Sequence, residues 1–173
     1  MKIGVLSDTH KKIDLSQKII QHFVKNKAEF LIHAGDIVEP EILQQLKNSG
    51  LKYIAVYGNN DSHLAKYHNL YNLVQEPHHF RYKNTKFKLM HMPFYLSKDD
   101  ADIVIFGHTH AFECDFKNNT LFLNPGEACA RNKDLSECAL LEITDKAYKV
   151  TRYNKKPKES KFNETELIFE KIS

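Results

Sequence analysis

The chain has 173 residues, of which 42% are hydrophobic and 27% are charged. These values are typical of a single globular domain, and they exclude a disordered chain and a collagen-like repeat. The formal net charge is only +3, which is too small to argue for nucleic-acid binding by itself. No apolar run approaches the roughly 18 residues that a membrane span needs, so we expect no membrane partner.

The cellular location is predicted from the first residues and the cysteines. Met1 leads directly into a strand-like segment, without the charged and apolar regions of a signal peptide. Cys114, Cys129 and Cys138 form no C-x-x-C pair and no disulfide framework, so we interpret them as free thiols in a reducing compartment. Both features favour a cytoplasmic protein.

The first half of the sequence alternates between strand and helix patterns. Apolar runs predict strands and a helical period predicts helices, with strands at 2–6, 30–33 and 53–57 and helices at 14–25 and 39–47. Asp14 is a candidate N-cap of the first helix, and Gly50 follows the end of the second. This alternation is typical of a parallel sheet with right-handed crossovers.

The second half has the pattern of antiparallel hairpins around one buried strand at 103–106. The predicted hairpin strands are 78–82 with 86–90, 113–116 with 120–123, and 139–143 with 148–153. The last segment, 165–172, alternates loosely, and its pattern allows an extra strand or an oligomer contact. Because no flexible linker separates the halves, we expect two sheets packed together in one domain.

Polar residues follow five predicted strands at the points where these strands end. They occur in the segments 8–10, 35–36, 58–61, 91 and 107–110. In open α/β sheets, ligands bind outside the carboxyl ends of the strands. We therefore expect these Asp, His and Asn side chains to converge in one cluster.

The composition of this cluster predicts a metal site. Residues two apart in an extended segment point the same way, so Asp8 and His10 can reach one centre, as can His108 and His110. Carboxylate and amide oxygens with imidazole nitrogens, and no thiolate, suit Mn, Fe, Zn, Co or Ni. Seven such ligands are too many for one catalytic ion with an open position, and about right for two ions that share a carboxylate.

The order of these motifs resembles that of the calcineurin-like metallophosphoesterases. D-x-H, G-D, G-N-x-D, a lone His and G-H-x-H follow one another, each after an apolar run, and Asn-Pro-Gly-Glu follows at 124–127. With the short length, this is most similar to the small archaeal and bacterial phosphodiesterases of the YfcE and MJ0936 type. The resemblance covers roughly residues 1–150.

The resemblance implies an α/β fold, a four-layer αββα sandwich of two mixed β-sheets flanked by helices. We expect a single domain over residues 1–173, with the motifs within 1–130 and C-terminal strands and a basic tail in 139–173. It also implies a phosphodiesterase with two divalent metal ions, Mn above Ni, Fe, Co or Zn. A hydroxide held between the ions would attack phosphorus in line with the departing oxygen of a small phosphodiester.

The resemblance assigns the ligands residue by residue. It implies that Asp36 bridges the two ions. The first ion would also take Asp8, His10 and His110. The second would also take Asn59, His91 and His108.

The chain departs from the larger family members at two places. Where they have a histidine after the Asn of the third motif, this chain has Asn60. Asn cannot donate a proton to a leaving group, but it can hydrogen-bond a phosphate oxygen. We therefore predict a preference for diesters with good leaving groups, with Asn60 as a catalytic substrate contact, or a histidine such as His63 or His68 supplied from downstream. After His91 the usual Gly is replaced by Met92, which puts substrate choice in question.

Two residues outside the ligand set are expected to support it. His33 lies within an apolar strand, where it can be a core histidine that orients Asp36. Asp61 is expected to cap a helix or orient a neighbouring side chain.

Other readings of the same sequence remain open. The segment 146–161 carries seven basic residues against one acid, Glu159, and we favour an edge strand protected by lysines over a nucleic-acid surface. The active site would also suit a nuclease or a phosphomonoesterase, and the fold would suit a non-catalytic scaffold. Small family members often pair, so the oligomeric expectation is a homodimer or homotetramer.

Overall fold

The computed structural model describes residues 1–94, 96, 97 and 99–171. Its elements are two α-helices, one 3-10 helix (Ser62–Tyr67) and twelve strands. The helices are α1 (Ile13–Lys25) and α2 (Pro40–Asn48). The strands are β1 (Lys2–Leu6), β2 (Phe30–His33), β3 (Lys52–Val56), β4 (Leu73–Val74), β5 (His78–Tyr82), β6 (Thr85–Leu89), β7 (Ile103–Ile105), β8 (Phe112–Lys117), β9 (Thr120–Pro125), β10 (Ser136–Ile143), β11 (Ala147–Lys155) and β12 (Asn163–Glu170).

The strands form two mixed sheets. The first sheet has the order β12-β11-β10-β1-β2-β3-β4, and the second has the order β5-β6-β7-β9-β8. In the first sheet β1 to β4 are parallel, whereas β10 pairs antiparallel with β1. In the second sheet β6, β7 and β9 are parallel, with an antiparallel strand at each edge. The α/β fold with two mixed sheets is therefore confirmed.

Apolar side chains of both sheets form the core between them. Alternate residues of β1, such as Ile3 and Val5, are fully buried against alternate residues of β7, such as Ile103 and Ile105. The opposite face of the first sheet is covered by both α-helices, with Phe23 and Leu43 packed in the same cluster as Leu31 of β2 and Leu140 of β10. Three layers are thus helices, first sheet and second sheet.

The outer face of the second sheet is covered differently. Val104 and Phe106 lie in a cluster with Leu96 and Ala101 from the connection between β6 and β7. In the described part of this connection no α-helix is present, so an irregular segment occupies the fourth layer. No helix among the described residues is long and apolar enough to cross a membrane.

Three sequence expectations are corrected in detail. Asp14 is not the N-cap of α1, because Lys12 holds that position and no side chain caps it. Asp61 precedes the 3-10 helix, but its side chain makes no capping bond there. The basic segment 146–161 is not an edge strand, because β11 is covered by β12.

The last of these corrections also answers the question that the sequence left at the C-terminus. β12 pairs with β11 along eight residues and is the edge strand of the first sheet. Residues 172 and 173 lie outside the described residues. Ala147 to Lys155 therefore form an interior strand, and the three C-terminal strands extend the sheet that β1 begins.

Candidate metal centre

The candidate site lies where parallel strands of both sheets end. Leu6 of β1 pairs with His33 of β2, which pairs with Ala55 of β3, so the following loops start side by side. Leu89 of β6 and Ile105 of β7 pair in the same way in the second sheet. The five loops that the sequence singled out therefore meet at one edge of the molecule.

The backbone of these loops is held in an uncommon conformation. Five candidate ligands have left-handed φ angles between 44° and 68°: Asp8, His10, Asp36, His108 and His110. Non-glycine residues rarely adopt such angles, and they cluster at functional sites. Backbone bonds between loops support them, for example from the Asp8 N–H to the Gly35 carbonyl at 3.0 Å and from the His10 N–H to the Asp36 carbonyl at 3.0 Å.

Four side chains form the first half of the cluster. The ligand atoms of Asp8, His10, Asp36 and His110 all lie within 4.8 Å of one another. His10 Nε2 is 3.6 Å from Asp36 Oδ2, and His110 Nε2 is 3.3 Å from Asp8 Oδ1. Asp8 Oδ1 and His10 Nε2 are buried and have no hydrogen-bond partner.

Unpartnered buried polar atoms cost free energy. A divalent cation among these two atoms and the oxygens of Asp36 would satisfy them, so the donor set fits a metal ion.

The second half of the cluster is built around Asn59. Its Oδ1 is 3.0 Å from His91 Nε2 and 3.1 Å from His108 Nδ1. His91 Nε2 also lies 3.4 Å from Asp36 Oδ1. Asp36 therefore contacts the first half through one carboxylate oxygen and the second half through the other.

Two histidines are oriented by hydrogen bonds behind the cluster. His91 Nδ1 donates to the Ala34 carbonyl at 2.8 Å, and His110 Nδ1 donates to Glu127 Oε2 at 2.5 Å. Both bonds put a ring proton on Nδ1 and orient the ring so that Nε2 faces the cluster, which makes Nε2 the atom that a metal ion would bind. Glu127 is fully buried and also accepts the backbone N–H groups of Asn132 and Lys133. The sequence placed Glu127 in a motif but gave it no role.

The electrostatics of the cluster differ from one candidate ligand to the next. Burial raises the pKa of Asp8. Burial lowers the pKa of His91, but the hydrogen bond and charge of Asp36 outweigh it and raise that pKa. Burial raises the pKa of Asp36, but hydrogen bonds from His91 and Asn60 outweigh it and hold that pKa below its usual value. Burial, with Arg131 nearby, lowers the pKa of His10, which favours the neutral imidazole. A carboxylate and a neutral imidazole are the forms that bind metal.

The glycines of these motifs allow close approach. A Cβ on Gly58 would lie 2.2 Å from Asp36 Oδ1, and a Cβ on Gly107 would lie 2.1 Å from Ser7 Oγ. Real Cβ atoms do not approach this closely, so only glycine fits at either position.

His33 and Asp61 fasten the loops together. The Gly35 N–H donates to His33 Nδ1 at 3.2 Å, and His33 Nε2 lies 2.9 Å from Thr9 Oγ1. Asp61 is fully buried, and its carboxylate accepts the N–H groups of Ile37, Val38 and Gly58. His33 therefore acts on the Asp36 loop through Gly35 and Thr9, and Asp61 joins the second and third loops.

Asn60 and His63 occupy different places. The Asn60 side chain is at the exposed rim and donates to Asp36 Oδ2 at 2.7 Å. His63 Nε2 bonds to the Val38 carbonyl at 2.7 Å, and His68 bonds to the Ala65 carbonyl within its own turn. Asn60 therefore joins the cluster, whereas both downstream histidines bond to backbone carbonyls.

A pocket of about 550 Å³ opens beside His10. Its lining includes Lys11, Lys12, Asn60 and Arg131, and Arg131 Nη2 lies 3.2 Å from His110 Nε2. Sequence reasoning missed Arg131, because a lone arginine in a loop gives no signal before its position is known. Cys129 also lines the pocket, and burial raises the pKa of its thiol to about 12, so it stays protonated.

The sequence profile of the calcineurin-like phosphoesterase superfamily domain matches residues 1–146. The chain therefore belongs to this superfamily, and the predicted resemblance is confirmed. Phosphodiesterase MJ0936 of Methanocaldococcus jannaschii is 29% identical over 161 residues, which are 86% of this chain and 97% of that relative.

Two solved structures are similar to this chain over nearly its whole length. A structure described as a novel archaeal phosphodiesterase has a TM-score of 0.74 and 26% identity, and the match covers 96% of this chain and 100% of that one. A single mutant of Vps29 from Entamoeba histolytica has a TM-score of 0.78 and 21% identity, with coverage of 98% and 99%. The second likeness is one of fold. The superfamily profile and the two phosphodiesterase relatives support a phosphoesterase hydrolase.

Proposed function

We propose that the protein is a dinuclear metal-dependent phosphodiesterase that acts on small phosphodiesters in the cytoplasm. The observation that carries this proposal is the sharing of Asp36, whose two carboxylate oxygens face two separate groups of ligand atoms. Asp8 Oδ1 and His10 Nε2 are buried without hydrogen-bond partners, which favours a bound cation between them. The membership of the superfamily and the name of the relative from Methanocaldococcus jannaschii support the reaction class.

The ligand sets follow from the two groups. The first ion would be held by Asp8, His10, Asp36 and His110, and the second by Asp36, Asn59, His91 and His108. Divalent ions held there would supply Lewis-acid activation of water and would neutralise charge on the phosphate. Manganese is the ion that we expect first, because the ligands are oxygens and imidazoles without a thiolate.

The pocket beside His10 provides the contacts for substrate. Lys11, Lys12 and Arg131 place positive charge around it, which attracts the phosphate anion. The Arg131 guanidinium can donate two parallel hydrogen bonds to phosphate oxygens. Asn60 can donate a further one when its amide leaves Asp36.

The residues around this pocket also limit the leaving group. Asn60 has no transferable proton, and His63 is bonded to the Val38 carbonyl. We therefore expect alcohols of low pKa to leave fastest, since they need no proton from the protein. Nucleases and phosphomonoesterases use the same metal chemistry. The size of the substrate that this pocket admits distinguishes those activities from the hydrolysis of small phosphodiesters.

The test is hydrolysis of bis-p-nitrophenyl phosphate by protein stripped with a chelator and then supplied with Mn²⁺. We expect turnover that returns with Mn²⁺ and is lost in Asn59→Ala. The matched control is Asn84→Ala, which changes an exposed turn residue outside the set of candidate ligands. This variant should keep full activity. Absence of turnover with Mn²⁺, Ni²⁺, Co²⁺ and Zn²⁺ in folded protein would overturn the proposal and favour a non-catalytic scaffold.

A further inference from the structure

A second concave surface lies between α1 and the connection from β11 to β12. We call it the basic cleft; its volume is about 680 Å³. It is lined by Lys18, Gln21, His22, Lys25, Lys155, Lys158, Glu159, Ser160, Lys161 and Phe162. Five lysines therefore face one glutamate. The segment that the sequence showed to be basic joins the basic face of α1 here, which no sequence pattern indicated.

The lysines of the basic cleft are not neutralised by the protein. In the described part of the chain none of the five forms an ion pair with a carboxylate. The Glu159 carboxylate accepts the Lys156 backbone N–H at 3.1 Å instead. Elsewhere in the same basic segment two cations are paired, Lys149 with Glu166 and Arg152 with Glu137.

Lys155 makes the excess of charge more acute. Its side chain is among the most buried of the molecule, at 1% exposure, and Nζ donates to the Glu159 carbonyl at 2.8 Å. Burial lowers the pKa of Lys155, nearby Lys18 lowers it further, and Glu159 offsets them only in part. An anion in the cleft would offset the repulsion between these lysines.

Aromatic rings form one wall of the cleft. His22 contacts Phe162 with ring centroids 4.5 Å apart and Tyr153 at 4.4 Å. Phe162 is half-buried and lines the cleft. Lys155 Nζ lies 5.4 Å from the Phe162 ring centroid. Lysines beside a partly exposed aromatic ring are typical of surfaces that bind single-stranded nucleic acid, where phosphates contact the lysines and a base contacts the ring.

We propose that the basic cleft binds single-stranded nucleic acid. Several phosphates in a row match several unpaired lysines better than a single phosphate would. The backbone of such a strand consists of phosphodiesters, so the strand would also be a substrate; this consequence rests on the proposed function. α1 has 13 residues and spans roughly 20 Å, with Lys12 at its metal-site end and Lys25 at its cleft end. A strand of a few nucleotides can therefore follow this helix from the cleft to the metal site.

The binding test uses a labelled single-stranded oligonucleotide and protein kept free of metal with EDTA. Fluorescence anisotropy is followed over a series of KCl concentrations. Single strands lose about 0.7 in log affinity per tenfold rise in salt for each phosphate contact, so the four exposed lysines predict a slope of about −2.8. A slope near zero, or the absence of binding at low salt, would overturn the proposal.

Two variants of equal charge test the location. Lys158→Glu/Lys161→Glu changes exposed residues of the cleft, and Lys52→Glu/Lys66→Glu changes exposed lysines outside it. We expect the cleft variant to bind weakly, with the slope reduced by about 1.4, and the other variant to bind as the unchanged protein does. Equal losses in both variants would contradict a defined site. A stronger affinity for inorganic polyphosphate at equal phosphate concentration would contradict nucleic acid as the ligand.

Hydrolysis assays separate this inference from the proposed function. The cleft variant should cleave bis-p-nitrophenyl phosphate at the normal rate and an oligonucleotide more slowly. If the small diester is never cleaved but the oligonucleotide still binds, the proposed function fails and the binding site stands. If the small diester is cleaved and the oligonucleotide does not bind, the reverse holds.

Discussion

The two charged regions of this molecule are organised in opposite ways. In the candidate metal cluster the side chains are mostly buried, and their positions are set by contacts behind them, as His91 is by the Ala34 carbonyl and His110 by Glu127. In the basic cleft four of the five lysines are exposed on flexible stems, and none forms an ion pair in the portion of the chain described. The first region is therefore organised by the positions of its donor atoms, and the second by its net positive charge.

The difference follows from the ligands that each region suits. A metal ion needs donor atoms at fixed distances, so misplacing one donor removes affinity. A polyanion is attracted by the summed charge and exchanges counterions, so no single lysine is essential. A supporting residue should therefore matter greatly in the cluster, and a single charge outside the cleft should matter little.

Glu127→Gln should give the largest effect. The substitution keeps the size of the side chain but removes the negative charge that accepts the hydrogen bond from His110 Nδ1 at 2.5 Å. Loss of such a supporting carboxylate commonly costs 10 to 100-fold in metal affinity or activity. We expect Mn²⁺-dependent hydrolysis of the small diester to fall by about this factor, and Mn²⁺ titration to show weaker binding.

Glu113→Gln is the matched control for this substitution. Glu113 is exposed and accepts a hydrogen bond from Thr109 in the same loop region, without contact to a candidate ligand. Its activity should stay within about twofold of the unchanged protein. Unchanged Mn²⁺ affinity in Glu127→Gln would show that the contact behind His110 does not set the geometry of the cluster.

His33→Gln probes the scaffold beneath the cluster and should give a smaller effect. Burial, with His91 nearby, lowers the pKa of His33 to about 3 from 6.5. The unfolded chain therefore takes up a proton as the pH falls below 6.5, whereas the folded protein does not until about pH 3. The stability that His33 contributes is thus complete above pH 6.5 and is lost progressively below it, by about 1.4 kcal/mol per pH unit.

Urea unfolding of metal-free protein between pH 7 and pH 5 measures this loss. The variant has a lower stability at every pH because Thr9 and Gly35 lose their partner, so the slope is the informative quantity. In His33→Gln we expect the slope of the unfolding free energy against pH to decrease by the equivalent of about one proton, which is about 1.4 kcal/mol per pH unit. Equal slopes in the two proteins would mean that His33 is not held neutral.

The sequence predicted what is encoded locally. β1 and β2 begin and end at the predicted residues, because buried parallel strands are short apolar runs. The convergence of Asp8, Asp36 and Asn59 was also predictable, since parallel strands end at one edge. Contacts between distant segments were not: the pairing of β10 with β1, the joining of Lys155 to the face of α1, and the contact of Glu127 with His110 depend on tertiary structure.

The roles of two polar residues show the same limit. Asp61 had the sequence context of a helix cap, but its carboxylate binds three backbone N–H groups of two loops instead. Asn60 was predicted to contact substrate, and in the structure its amide donates to Asp36. Its role toward substrate stays a prediction. Short-range patterns identify which residues are polar at strand ends, and only packing decides which partner each one has.

Lys149→Gln should give the smallest effect, and it tests the basic side of the comparison. Lys149 belongs to the same basic segment as the cleft lysines, but its Nζ is 2.6 Å from Glu166 across β11 and β12, and both side chains are partly exposed. Exposed pairs of this kind contribute about 0 to 1 kcal/mol. We therefore expect the free energy of unfolding to fall by less than about 1 kcal/mol, and the salt slope of oligonucleotide binding to stay unchanged. A decrease of the slope as large as in a single cleft substitution such as Lys158→Gln would contradict this. Nucleic acid would then bind through the charge of the whole basic segment, without a difference between paired and unpaired lysines.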